Sequence, residues 1–308
     1  MAEEMNETER YYREAINDPY KCMETVKKAP WSIRYAKEQT LELCMEAVQN
    51  DGEVLAYVKE QTPEICMAAV DSNGLALEYV KEQTPEICMA AVDSNGLALK
   101  HVKEQTPEIC MAAVKNSGWA LEYVKEQTPE ICTAAVKNSE WALEYVKEQT
   151  PDICMAAINS NGLALQYVKE QTPDICMAAV KNSGWALEYV KEQTPEICMA
   201  AVQENFRAIR FVKEQTPEVC MTAVNESAKA LQYIEHQTPE MFIAAMKHDS
   251  RAVNYISEEC AKSLINNVEK RISNGQAVKP EEYYAYQNLT AELEPINSEV
   301  DMNEDFEM

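Results

Sequence analysis

Residues 58–79 read VKEQTPEICMAAVDSNGLALEY, and residues 80–101 read VKEQTPEICMAAVDSNGLALKH. The pattern returns every 22 residues along most of the chain, and ten cysteines mark its register. These are Cys22, Cys44, Cys66, Cys88, Cys110, Cys132, Cys154, Cys176, Cys198 and Cys220. A short fixed period is typical of stacked repeats, in which each unit contacts only its neighbours. The sequence therefore predicts about eleven repeats of 22 residues over residues 19–260.

Each repeat has the pattern of two short helices. In residues 61–70, QTPEICMAAV, Thr62 can cap a helix and Pro63 suits its first position. The helix is predicted to stop at residues 71–74, DSNG, where Asn or Gly can adopt the left-handed conformation. A second helix is predicted over residues 75–82, before the next Thr-Pro pair. Because helices this short are marginal alone, they must pack against neighbouring repeats, which predicts an all-α solenoid.

The two ends of the chain depart from the repeat. The first residues include Tyr11, Tyr12 and Ile16, which are available to cover the first repeat. After the array the register fails, and Cys260 is the one cysteine out of phase. The predicted organisation is an N-terminal helical cap (1–18), the repeat array (19–260), a C-terminal helical cap (261–290) and an acidic disordered tail (291–308).

A family resemblance is carried by the segment AAVKNSGWALEYV, which occupies residues 112–124 and again 178–190. It resembles helical repeats of unknown function that read close to AAVKxNGxALxYA and occur in bacteria, phages and giant viruses. The likeness extends over the repeat array. It implies an all-helical architecture and brings no catalytic residue or ligand with it.

The formal net charge of -24 bounds the classes of partner. Residues 281–308 alone hold nine Asp and Glu residues and no Lys or Arg. This balance argues against direct binding to a nucleic-acid backbone, which needs clustered cations. It favours a basic partner or mimicry of a polyanion, or it serves only to keep the protein in solution.

Several features that the sequence lacks limit the cellular compartment and the kinds of chemistry that we expect. The in-register cysteines sit in apolar ICMAAV-type segments, where thiols behave as small buried hydrophobes. With a charged N-terminus and no apolar run of membrane length, we expect a cytoplasmic protein, in the host cytoplasm if the source is viral. The three histidines and single glycines form none of the common catalytic motifs. We therefore expect no enzymatic activity, no metal and no cofactor.

The variable positions indicate where a partner would bind. The turn sequences differ between repeats, and the next residue alternates between leucine and tryptophan. We therefore predict a partner-binding edge formed by Trp119, Trp141, Trp185, Glu122, Glu144 and Glu188. The alternative is that the tryptophans fill the core, with Trp119 stacked one helical turn away on Tyr123.

These observations favour a non-enzymatic protein-binding solenoid. In its sharper form the hypothesis is an acidic inhibitor, of nucleic-acid-mimic or anti-defence type, that occupies the basic surface of a nucleic-acid-binding partner. The alternative is a structural scaffold or assembly component whose acidity has no inhibitory role. The sequence does not fix the oligomeric state.

Overall fold

The computed structural model describes residues 7–293, and these residues form helices and no strands. Eleven pairs, each an α-helix followed by a 3₁₀ helix, stand between three further α-helices. The α-helices are α1 (Glu7–Ala15), α2 (Cys22–Lys28), α3 (Leu41–Asn50), α4 (Pro63–Ser72), α5 (Pro85–Ser94), α6 (Pro107–Asn116), α7 (Pro129–Asn138), α8 (Pro151–Ser160), α9 (Pro173–Asn182), α10 (Pro195–Glu204), α11 (Pro217–Glu226), α12 (Pro239–His248), α13 (Glu258–Ser273) and α14 (Pro280–Leu293). The predicted all-α solenoid of about eleven 22-residue repeats is confirmed.

The second element of each pair is a 3₁₀ helix of six residues. These helices are η1 (Pro30–Tyr35), η2 (Gly52–Tyr57), η3 (Gly74–Tyr79), η4 (Gly96–His101), η5 (Gly118–Tyr123), η6 (Glu140–Tyr145), η7 (Gly162–Tyr167), η8 (Gly184–Tyr189), η9 (Phe206–Phe211), η10 (Ala228–Tyr233) and η11 (Ser250–Tyr255). The predicted second helix over residues 75–82 is therefore shorter than expected and of the tighter type. Val80 already has extended geometry, with φ -72° and ψ 116°.

The α-helices begin as their sequence predicts. The side-chain oxygen of Thr62 accepts a hydrogen bond from the Ile65 amide at 3.4 Å, and Pro63 takes the first helical position. The expected left-handed ending is wrong, because Asn73 is extended, with φ -149° and ψ 109°. Its side chain accepts from the Leu75 amide at 3.0 Å and so starts the 3₁₀ helix directly. Among the described residues, only Gly275 has positive φ.

Where glycine begins a 3₁₀ helix, it is needed for close stacking of the repeats. It is not needed for an unusual backbone angle. A Cβ added to Gly74 would lie 2.3 Å from the carbonyl oxygen of Ala91 in the next repeat. Beneath this contact, each repeat buries the same side chains, such as Ile65, Leu77 and Val80. Each such side chain contributes about 1.5–3 kcal/mol when fully buried. The core is therefore a ladder of identical layers.

A glutamine clamp, unforeseen from the sequence, joins each repeat to the next. The side-chain amide of Gln61 donates to the Tyr79 carbonyl at 3.0 Å, and its oxygen accepts from the Lys81 amide at 3.0 Å. The clamp recurs at the equivalent glutamine of later repeats, for example Gln105 and Gln127. It satisfies backbone groups that the extended link between helices leaves without partners. This explains why the link changes little between repeats.

The N-terminal cap continues this hydrogen bonding with a shorter side chain. Asn17 donates to the Tyr35 carbonyl at 3.1 Å and accepts from the Lys37 amide at 2.9 Å. Ile16 is buried as expected, whereas Tyr11 is 63% exposed and does not cover the first repeat.

The C-terminal cap begins early, because the Ser257 amide donates to the side-chain oxygen of Gln237, the last clamp, while its hydroxyl accepts from the Cys260 amide and caps α13. This shift places Cys260 out of register yet buried. Gly275, with φ 66°, ends α13 as a left-handed cap. Of the predicted tail, residues 291–293 belong to α14, and 294–308 lie outside the described residues.

The described residues group into two compact units. One comprises residues 7–160 with 167–169, and the other comprises 161–166 with 170–293. The repeats within each unit stack through the same core positions and clamp, and glycine makes the close contact where it begins the 3₁₀ helix. Across residues 7–293, no helix combines the length and apolarity needed to traverse a bilayer.

Candidate binding surface

In each unit, two positions of every 3₁₀ helix form a row, and we call these positions the 3₁₀ edge. They are the second and fifth residues, Trp119 and Glu122 in η5, between which Ala120 and Leu121 are buried. Residues three apart are eclipsed in a 3₁₀ helix and share a face. The second positions are Trp31, Glu53, Leu75, Leu97, Trp119, Trp141, Leu163, Trp185, Arg207, Lys229 and Arg251. The fifth positions are Arg34, Ala56, Glu78, Lys100, Glu122, Glu144, Gln166, Glu188, Arg210, Gln232 and Asn254.

The three predicted tryptophans lie on this edge and not in the core. Trp119 is 43% exposed and Trp141 is 37% exposed, while Trp185 is half-buried. The alternative, in which Trp119 fills the core and stacks on Tyr123, is wrong, because the exposed Trp119 ring contacts Tyr145 of the next repeat.

Each tryptophan instead contacts the aromatic residue of the following repeat. The Trp119 and Tyr145 ring centroids are 5.8 Å apart, in an edge-to-face arrangement at 63°. The corresponding distances are 5.5 Å for Trp141–Tyr167 and 5.6 Å for Trp185–Phe211. Such pairs favour neighbouring repeats by about 0.5–1.5 kcal/mol beyond area burial. The tryptophans therefore hold repeats together while leaving part of each indole accessible.

The three predicted glutamates, Glu122, Glu144 and Glu188, are exposed. Within residues 7–293, no Lys or Arg forms an ion pair with any of them. Burial and then the charge of Glu122 raise the pKa of Tyr123, and the same two causes raise the pKa of Tyr145. The Glu122 carboxylate therefore lies close to the tyrosines of two successive repeats.

Sequence reasoning missed the cationic members of the 3₁₀ edge. Arg34 and Arg210 occupy the fifth position that Glu122 holds in η5. The signal was present in the sequence, because these residues fall on the same 22-residue register. The sequence alone does not show that this position shares a face with the tryptophan, because that depends on the 3₁₀ period of three.

A second exposed surface runs along the α-helices. Met45, Met67 and Ala68 line an open groove of about 750 Å³ whose rim includes Glu64. Hydrogen bonds from its own backbone amide and from Thr62 lower the pKa of Glu64. Because this pattern of methionine and acidic residue is nearly the same in every repeat, it does not distinguish one repeat from another. The 3₁₀ edge does.

The thiols provide no comparable site. Ten cysteines are buried, including Cys260, whereas Cys22 at the start of the array is only partly covered. This corrects the expectation that all in-register cysteines are core residues. Burial raises the pKa of the Cys66 thiol, and for Cys220 it raises the pKa to about 11. In the part of the chain that the structure describes, no three Cys, His, Asp or Glu side chains form a group that could hold a metal ion.

Comparison with known proteins identifies the repeats. The family model described as "Domain of unknown function (DUF4116)" matches seven overlapping segments, each offset by about one repeat. They are residues 40–84, 62–106, 84–128, 106–150, 128–172, 150–193 and 172–216. No curated protein and no solved structure gives a significant match.

Proposed function

This chain belongs to the DUF4116 family, and we propose that it is a non-enzymatic protein-binding solenoid that engages a basic partner through the 3₁₀ edge. The observation that carries the proposal is the pairing of Trp119, Trp141 and Trp185 with Glu122, Glu144 and Glu188, respectively, on one face of their 3₁₀ helices. Tryptophan is a frequent anchor of protein interfaces. Exposed carboxylates beside it favour encounter with a positively charged partner.

The variation among repeats supports this choice of surface. Core positions and clamp glutamines contact the neighbouring repeat, and that contact restricts which side chains they can carry. The second and fifth positions of the 3₁₀ helices carry apolar, aromatic, acidic and basic side chains in different repeats. Chemical variety at such positions is expected where a partner reads the surface. In its sharper form the proposal is inhibition, with the carboxylates occupying a basic nucleic-acid-binding surface. A scaffold whose acidity only maintains solubility is the alternative.

The test compares two triple variants with the same change of charge. Glu122→Lys, Glu144→Lys and Glu188→Lys together reverse the 3₁₀ edge. Glu126→Lys, Glu148→Lys and Glu192→Lys reverse exposed link glutamates four residues later in the same repeats. Each protein is immobilised and used to capture partners from a cell lysate at about 50 mM and 500 mM salt, with quantification by mass spectrometry.

We expect the edge variant to lose the captured protein and the link variant to retain it. Capture by the unmodified chain should weaken at the higher salt concentration, since exposed charges are then screened. Equal losses in both variants would mean that only total acidity matters, which favours the scaffold alternative. Removal of residues 290–308 is a further control. If that deletion alone ends capture, the 3₁₀ edge is not the binding surface.

A further inference from the structure

The first repeat shows what its aromatic side chains can hold. The guanidinium carbon of Arg34, the fifth residue of η1, lies 5.1 Å from the Trp31 ring centroid, 4.6 Å from Tyr35 and 5.9 Å from Tyr57. One of its nitrogens is 2.9 Å from a carboxylate oxygen of Glu9. Cations within about 6 Å of aromatic rings are attracted by the ring quadrupole. Arg34 therefore occupies a cage of three aromatic rings and one carboxylate.

A second arginine makes one of these aromatic contacts in the other unit. Arg210 is the fifth residue of η9, and its guanidinium carbon lies 5.4 Å from the ring centroid of Tyr233. Tyr233 and Tyr57 occupy equivalent positions relative to Arg210 and Arg34. Each is the last residue of the 3₁₀ helix that follows the helix of its arginine. The fifth position thus places a guanidinium against the next repeat's tyrosine in both units.

The repeats that contain the predicted tryptophans keep the aromatic residues and replace the cation. Trp119, Tyr123 and Tyr145 correspond to the three cage residues of the first repeat, each 88 residues later. Glu122 stands in the position of Arg34. In the first repeat the carboxylate belongs to Glu9 of α1, whereas in η5 it belongs to Glu122 of the 3₁₀ helix itself. The positive charge of Arg34 is replaced by this carboxylate.

The same replacement occurs at the other two tryptophans. Trp141 is accompanied by Glu144, Tyr145 and Tyr167, and Trp185 by Glu188, Tyr189 and Phe211. Trp31 contacts Tyr35 within its own 3₁₀ helix at 6.3 Å, whereas the later tryptophans rest on the next repeat. All four tryptophans of the chain thus occupy the second position. The fifth position of the same helix, three residues later, is arginine once and glutamate three times.

We propose that Trp119 with Glu122, Trp141 with Glu144, and Trp185 with Glu188 form subsites for arginine side chains of the partner. The inference rests on the proposed function and names the chemistry that the 3₁₀ edge recognises. Guanidinium suits these sites better than ammonium, because its plane stacks on aromatic rings and its paired N–H groups match a carboxylate. Arg34 and Arg210 show that the fifth-position geometry admits this group.

The first two subsites lie in consecutive repeats and so set a spacing. Packed helices are about 8–10 Å apart. In the polyproline II form an extended peptide advances about 3.1 Å per residue with three residues per turn, so residues three apart lie on the same side of it and are separated by roughly 9 Å. The two subsites therefore favour an extended segment of the form Arg-x-x-Arg.

The experiment uses the full chain and three synthetic peptides. They are acetyl-GRSGRG-amide, its lysine analogue and its citrulline analogue, which retains the shape of arginine without the charge. Binding is measured at low salt from the four indole N–H resonances in a ¹H–¹⁵N spectrum, assigned with single Trp→Phe variants. We expect the arginine peptide to shift Trp119, Trp141 and Trp185 but not Trp31, whose cage is already filled. We expect it to bind about fivefold more tightly than the lysine peptide.

Variants in which an arginine of the chain itself occupies each proposed subsite provide the matched control. Glu122→Arg with Glu144→Arg should place arginines where Arg34 and Arg210 lie in their own repeats and reduce peptide affinity tenfold or more. Glu126→Arg with Glu148→Arg changes the charge equally and should leave the affinity within about threefold. Glu122→Gln with Glu144→Gln, which keeps the side-chain shape, should also weaken binding. Thermal melting confirms that each variant is folded.

The outcomes separate this inference from the proposed function. Equal binding of the arginine and lysine peptides, equal losses in both arginine variants, or an equal shift of Trp31 would overturn the arginine subsites. Capture that still depends on the edge glutamates would then leave the proposed function standing. Absence of peptide binding together with capture that ignores the edge glutamates would overturn both.

Discussion

Replacement of a clamp glutamine tests how successive repeats are joined. Gln127 donates to the Tyr145 carbonyl at 2.9 Å and accepts from the Lys147 amide at 3.0 Å. The Cys132 thiol also lies 3.7 Å from its side-chain oxygen. Gln127→Met keeps the approximate length of the side chain and removes these two backbone bonds, together with a 3.4 Å bond to the Leu121 carbonyl. The Tyr145 carbonyl and the Lys147 amide would then lose their hydrogen bonds to the clamp.

The magnitude follows from the surroundings of these two groups. An unsatisfied buried backbone group costs about 1–3 kcal/mol. The bond to Tyr145 is only part-buried and the bond to Lys147 is exposed, so the lower end of that range applies. At about 1 kcal/mol for each of the two groups, we expect the free energy of local unfolding to fall by about 2 kcal/mol. This corresponds to a roughly 30-fold change in the local opening equilibrium. Long repeat arrays need not unfold in one step, so a local measurement is preferable.

Native-state hydrogen exchange provides that measurement. The Lys147 amide should exchange roughly 30-fold faster in Gln127→Met, while the Lys125 amide, held by Gln105, should change far less. Gln166→Met is the matched control, because Gln166 is exposed and bonds only within its own 3₁₀ helix. Its effect on stability should stay within about 0.5 kcal/mol. Unchanged protection of Lys147, or equal effects of the two substitutions, would refute the clamp.

Three further predictions concern the core and the repeat contacts. A thiol reagent at pH 8 should modify Cys22 rapidly and the ten buried cysteines slowly, with all eleven reacting after denaturation; rapid modification of Cys260 would contradict the assigned burial. Gly74→Ala should destabilise the protein by about 1–3 kcal/mol in denaturant unfolding, because its Cβ would collide with the Ala91 carbonyl, and a neutral result would exclude that close contact. Burial and then Lys100 lower the pKa of His101, so acidification through pH 6.5 should reduce the unfolding free energy relative to His101→Tyr; a pH-independent difference would refute the shift.

The repeat period could be predicted because the same segment recurs every 22 residues. The core positions and helix starts could be predicted because they depend on the spacing of nearby residues. A Thr-Pro pair followed by Ile and Cys indicates a capped α-helix with one buried face, as the structure shows for α4. The buried residues Ala76, Leu77 and Val80 also follow from their spacing. These features depend on residues within one or two helical turns of each other.

The type of the second helix could not be predicted in the same way. Six residues such as GLALEY bury the same apolar positions as an α-helix or a 3₁₀ helix, so their pattern does not decide between the two. The error moved the expected partner of Trp119 from Tyr145 to Tyr123, because the α-helical rule places residues four apart on one face. The candidate residues were on the surface as predicted, but their aromatic contacts were misassigned.

The clamp and the glycine contact were missed for another reason. Gln61 meets Tyr79 and Lys81, 18 and 20 residues later, and Gly74 meets Ala91. Their sequence separation is close to one repeat, so the recurrence of glutamine and glycine at these positions has the same appearance as recent duplication. Only the stacking of repeats shows that each residue contacts its neighbour's backbone.

The charge of the 3₁₀ edge also limits where a basic partner can bind. The second position carries tryptophan at three of the repeats from η5 to η8 and then becomes Arg207, Lys229 and Arg251 in η9 to η11. Arg210 adds a positive charge at the fifth position of η9, where it already lies against an aromatic ring. Cationic side chains at these positions would repel the arginines that we propose as ligands of the glutamate-bearing repeats. If that proposal holds, a repeat array with a nearly uniform core directs a basic segment to selected repeats by changing only two positions in each.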